Sequence, residues 1–88
     1  MPDPFDALRA PVTPADPDPA FAARLRAQDV LQRLGPHHRA ALTLRYVDDL
    51  PVPEVASVLG RTVHATEALL VRARAAFRRM YEGEEGSR

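Results

Sequence analysis

Proline decides where this chain can be helical. Each proline removes a backbone donor and turns its predecessor away from the helical region, so it is tolerated at a helix start and hardly anywhere later. Six of the nine prolines (Pro2, Pro4, Pro11, Pro14, Pro17 and Pro19) fall in the first nineteen residues, and the others are Pro36, Pro51 and Pro53. This distribution predicts an extended, largely disordered, proline- and acid-rich arm over residues 1–17. Helices are expected to open near Pro19, at Pro36 and at the Pro51, Pro53 pair. Inside the arm, Asp6-Ala7-Leu8-Arg9, preceded by Phe5, has room for one helical turn that shows Phe5 and Leu8; the expectation is a plain tail, with a docking peptide as the alternative.

The apolar positions fill in the helices. Asp18 is placed to cap the first, with Pro19 at its first helical position and Phe21, Leu25, Leu31 and Leu34 as its stripe, up to a stop at Gly35. The second starts at Pro36, carries Ala40, Ala41, Leu44 and Val47 at helical spacing, and ends near Asp48-Asp49. A short third helix begins at Pro51-Val52-Pro53 with Glu54 in its first turn, where the helix dipole favours an anion, and with Val55, Ala56, Val58 and Leu59 as apolar contacts. Gly60 is placed to close it in the left-handed conformation, and Thr62 to cap a last helix over residues 63–81. The stripe of that helix is Val63, Thr66, Leu70, Ala73, Phe77 and Tyr81. Nothing alternates with the period of a strand. The expected fold is all-α: a small four-helix domain over residues 18–82 containing a helix-turn-helix, with a disordered proline-rich N-terminal arm and a flexible tail over residues 83–88.

Several kinds of chemistry lack their residues. With no cysteine there are neither disulfides nor thiolate metal sites, and no run approaches the roughly 18–20 apolar residues of a membrane span. His37 and His38 are adjacent and point to different faces, while His64 is remote from both, so no metal site is expected. The four glycines (Gly35, Gly60, Gly83, Gly86) are scattered rather than gathered into a phosphate loop, and no nucleophile elbow is present. Asp48-Asp49 reads as a solvated turn. The chain is therefore expected to be neither an enzyme nor a cofactor or small-molecule binder, and to be cytoplasmic.

Net charge is zero, but it is polarised along the chain. Residues 1–19 hold four Asp and one Arg, whereas residues 61–79 hold five Arg and one Glu. All twelve basic residues are arginine, whose planar fork suits phosphates and guanine edges and whose use also follows genomic base composition. At 100° per residue, His64, Ala65, Ala68, Arg72, Ala75 and Arg79 lie opposite the core stripe of the last helix, and Leu69, Ala76 and Met80 lie along its flank. The flank is a candidate partner-binding surface or simply the completion of the core.

A short helix, a glycine turn and a longer helix, with the small Ala56 where the two must pack closely, make a helix-turn-helix signature. The run from Leu31 through Gly35-Pro36, Arg39-Ala40-Ala41-Leu42-Thr43-Leu44-Arg45-Tyr46, Leu50, Glu54-Val55-Ala56 and Leu59-Gly60-Arg61-Thr62-Val63 to Arg72-Ala73-Arg74 resembles region 4 of extracytoplasmic-function sigma factors. The resemblance covers about residues 28–80. It implies that the two-helix unit enters the major groove of a promoter element in double-stranded DNA, and that the domain contacts the flap of the RNA polymerase β subunit. It also implies groove-facing roles for Arg61, Thr62, His64, Ala65, Ala68, Leu69 and Arg72, and phosphate contacts for Arg39 and Arg45, with Arg61 and Arg72 expected to hold phosphates as well. The chain departs from the family where a Lys-Ser-Arg sequence is common, since it has Glu67, Ala68 and Leu69 there. A complete sigma factor also needs a region that binds the polymerase clamp and melts the promoter, for which 88 residues leave no space; an excised domain or a free-standing region 4-like regulator is expected. The rival expectation is a protein-interaction module that uses Leu69, Ala76 and Met80 on polymerase, a sigma factor, an anti-sigma factor or another transcription regulator without reading DNA. A third is a self-associating domain.

Overall fold

The computed structural model describes residues 5–9 and 21–86, the last three by their backbone alone. The capping positions expected at Asp18 and Pro19, and most of the expected arm, lie outside them. Five α-helices follow one another: α1 (Asp6–Arg9), α2 (Phe21–Arg33), α3 (Pro36–Leu42), α4 (Val52–Leu59) and α5 (Val63–Gly86), with a π-helical turn, Thr43–Val47, continuing α3. The described residues contain no strand. No helix among them is long and apolar enough to cross a membrane.

The core is built on α5. Leu70, Ala73, Phe77 and Tyr81 share the core with Ala27, Val30 and Leu31 of α2, Leu34 just after it, and Ala41 and Leu42 of α3. Each fully buried leucine or valine contributes about 1.5–3 kcal/mol. Thr66 is buried too, and its hydroxyl donates to the Thr62 carbonyl at 2.8 Å, so no polar group is stranded there.

The stripes differ from expectation in instructive ways. In α2, Leu25 is 46% exposed and Phe21 half-buried, and the core face runs through residues 27, 30, 31 and 34 instead. Leu25 and Leu31 are six residues apart, which places them about 120° from each other around a helix, so they cannot share a face. Val63, the first residue of the α5 stripe, is exposed. After α3 the chain widens: the Asp48 N–H donates to the Thr43 carbonyl five residues back at 2.9 Å, and the Leu50 N–H to the Leu44 carbonyl at 3.0 Å. The inserted residue shifts the register. Val47, expected in the core, is exposed, and Tyr46 turns inward in its place. Asp49 then takes a positive φ of 57°, a conformation that aspartate adopts more easily than most residues, and reverses the chain towards α4.

The expected turn over Asp6–Arg9 forms, and it is not displayed to solvent. Phe5 is 3% and Leu8 2% exposed, both within the main core. The Phe5 ring stacks on Tyr46 at 5.1 Å between centroids and tilts against Phe77 at 5.2 Å. Phe77 in turn stacks on Tyr81 at 5.8 Å. At the other end, α5 continues past residue 81 to Gly86.

Candidate nucleic-acid interface

The junction of α4 and α5 is fixed by backbone geometry. Gly60 sits at φ 68°, ψ 34°, a conformation that costs a residue with a Cβ roughly 1–2 kcal/mol. This closes α4 with a pair of reversed hydrogen bonds: the Arg61 N–H donates to the Ala56 carbonyl at 2.9 Å and the Gly60 N–H to the Ser57 carbonyl at 3.3 Å. Two residues later Thr62 begins the next helix, its Oγ1 accepting from the Ala65 N–H at 3.0 Å. Ala56 is buried, as a small residue at a close helix crossing should be. The turn expected from sequence is thus formed at each of its defining residues.

The structure sorts the arginines, which composition cannot do. Arg39 donates to the carbonyls of Gln32 (3.1 Å) and Leu34 (3.3 Å), satisfying the C-terminal end of α2. Arg45 donates to the Leu50 carbonyl at 3.2 Å and lies over the Tyr46 ring. Arg74 reaches the Tyr46 hydroxyl at 3.2 Å, Arg26 the Tyr81 hydroxyl at 3.2 Å, and Arg9 and Arg78 cover the rings of Tyr46 and Phe5. Arg61, Arg72 and Arg79 are exposed and have no partner among the described residues. Of the four arginines expected on phosphates, Arg39 and Arg45 are turned to the protein's own backbone.

The remaining expected residues gather on one surface. Arg61, Thr62, His64 and Arg72 are exposed and Ala65 and Ala68 half-buried along the N-terminal half of α5. Glu67, Val71 (59% exposed) and Ala75 share that surface. Val71 is not found by sequence reasoning, since it directly follows Leu69 and Leu70 and nothing local sets it apart from that apolar run. Leu69 does not belong there. It is 4% exposed, three residues from Thr66 and four from Ala73 on the buried side, so it completes the core and is corrected from both a groove-facing and a docking role. Ala76 and Met80, expected beside it on a partner surface, are half-buried against the same core. Among the described residues no group of three or more His, Asp or Glu stands close enough to hold a metal ion.

Away from this surface, an open groove of about 470 Å³ runs between α3 and α4, lined by Pro36, Ala40, Thr43, Leu44, Val58 and Leu59 among others. Val58, expected as an apolar contact of α4, is 63% exposed at its edge.

A family model described as Sigma-70, region 4 matches residues 24–77, more than half of the chain. No curated protein and no solved structure matches.

Proposed function

The chain belongs to the sigma-70 region 4 family, and on that premise we propose that it is a promoter-reading module that lays the N-terminal half of α5 in the major groove of double-stranded DNA. The observation that carries this reading is that Arg61 and Arg72, at the two ends of the exposed face that begins at the Gly60 turn, have no partner among the described residues. Arginine is the residue of choice for phosphate, and two guanidiniums bracketing a helix fix its register on the backbone. Thr62, His64, Ala65 and Ala68 then lie against base edges. Arg39 and Arg45, which serve backbone carbonyls, are assigned no phosphate. The reading involves no catalytic step and no cofactor, and places the protein in the cytoplasm with the transcription machinery.

Zero net charge limits the non-specific affinity, so binding is expected to be salt-sensitive and modest. Fluorescence anisotropy against a random-sequence duplex pool at about 50 mM and about 200 mM salt tests it. Binding at the lower salt that falls steeply at the higher supports the reading; no binding at either salt overturns it.

A second contact is favoured by the groove between α3 and α4. It is open, its apolar residues Pro36, Ala40, Leu44, Val58 and Leu59 stand beside the polar Gln32, Arg39 and Thr43, and none of its lining residues is on α5. By resemblance to the family its occupant is the flap of the RNA polymerase β subunit. Val58→Asp, at an exposed position, is expected to abolish capture of a β-flap fragment while leaving helicity and duplex binding unchanged. Capture retained by the folded variant removes the groove from this role.

A further inference from the structure

Resting on the DNA-binding reading above, a finer inference comes from two exposed side chains that flank the residues opposite the core on α5. Between Arg61 and Arg72 the outward positions include Glu67 and Val71, both exposed and both without a polar or ionic partner among the described residues. They are four residues apart, hence on one side of α5 and separated by one turn, about 6 Å. Base pairs stack about 3.4 Å apart, so the two side chains address positions roughly two steps from each other.

Their chemistry restricts what they can meet. A carboxylate is repelled by phosphates and is costly to desolvate without a donor, so where Glu67 meets DNA it does so over base edges. There it can only accept, and the partner matched to a carboxylate in the major groove is the cytosine N4 amino group. The isopropyl group of Val71 neither donates nor accepts, and the apolar group on the major-groove edge is the thymine 5-methyl. An exposed valine at 59% contributes little to the core, so its surface is available for such a contact. Glu67 and Val71 thus add an acceptor and an apolar group to a surface on which Thr62 and His64 can also meet base edges.

We propose that Glu67 and Val71 are the specificity-determining pair of this chain, selecting a duplex element in which a cytosine amino group and a thymine methyl group stand about two base-pair steps apart. The full chain is used to select duplexes from a random pool, and anisotropy is then read on the selected element and its variants. Replacing the critical thymine by deoxyuridine, which removes the methyl and nothing else, is expected to weaken binding about fourfold. Val71→Ala should lose most of that difference. Exchanging the critical cytosine should cost about fivefold or more in the parent chain. Glu67→Ala should lose that preference while binding the unselected pool more tightly, since an anion has gone; a merely structural role for Glu67 would not raise affinity. Tight binding that is indifferent to every thymine-to-deoxyuridine exchange, or a Glu67→Ala variant that selects the same element, overturns this proposal and leaves the DNA-binding reading standing. Failure of the parent chain to bind any duplex overturns both.

Discussion

Phe77→Ala is expected to lower the unfolding free energy by about 3–5 kcal/mol, and Phe5→Ala by about 2–3 kcal/mol. Phe77 is fully buried at the centre of the aromatic cluster, against Phe5 and Tyr81, and the helix that carries it cannot move aside to fill the space. Against a total of about 5–15 kcal/mol for a small domain, that loss brings the variant close to the unfolding threshold. Phe5 is almost as buried, but it sits on a single turn that can leave. Once the ring is truncated, the loss is capped at the free energy with which the turn docks, because an undocked turn recovers the backbone entropy it had given up. The signature is non-additivity: Phe5→Ala, Leu8→Ala and the double variant should cost similar amounts, whereas either change combined with a distant Val55→Ala should add. Urea unfolding followed by far-UV circular dichroism reads all of these. A Phe5→Ala cost within about 0.5 kcal/mol, typical of a surface change, would mean that the turn is a tail.

The docked turn also marks where sequence reasoning stops. The helix-turn-helix was legible because its signals are local: Gly60 must take a positive φ, Thr62 must accept from a nearby N–H, and Pro51 and Pro53 can stand only at a start. The order of helices, their approximate limits and most of the α5 stripe follow from the same short-range rules. The docking of Phe5 does not. It depends on Tyr46 and Phe77, some forty and seventy residues further along the chain, and Tyr46 faces Phe5 because a single inserted residue in Thr43–Val47 rotates it inward. No periodicity count carries that insertion. Leu69 illustrates a subtler failure. A position at the edge of an apolar stripe is buried or exposed according to which helix packs beside it, and the sequence shows the stripe without showing the neighbour.

The arginines extend the same distinction to function, where counting charge and placing charge give different answers. Arg61→Gln combined with Arg72→Gln is expected to reduce the slope of log affinity against log salt by about 1.8, which is about 0.9 for each phosphate no longer neutralised. At about 50 mM salt that amounts to a decrease on the order of tenfold in affinity per phosphate. Both residues are exposed and without a partner among the described residues, so the helical content and unfolding midpoint should not move. Arg74→Gln changes the formal charge of the chain by the same amount as either single change. Its guanidinium, however, is bound to the Tyr46 hydroxyl, beside the ring that holds Phe5. It should therefore leave the salt slope nearly unchanged and cost stability instead, about 1 kcal/mol for the missing hydrogen bond. If all three arginines contribute equally to the slope, the protein attracts DNA as a diffuse cation and α5 has no fixed register on it. If Arg61 and Arg72 alone do, the backbone turn at Gly60 has placed two specific charges on two specific phosphates, and the residues between them are held against base edges.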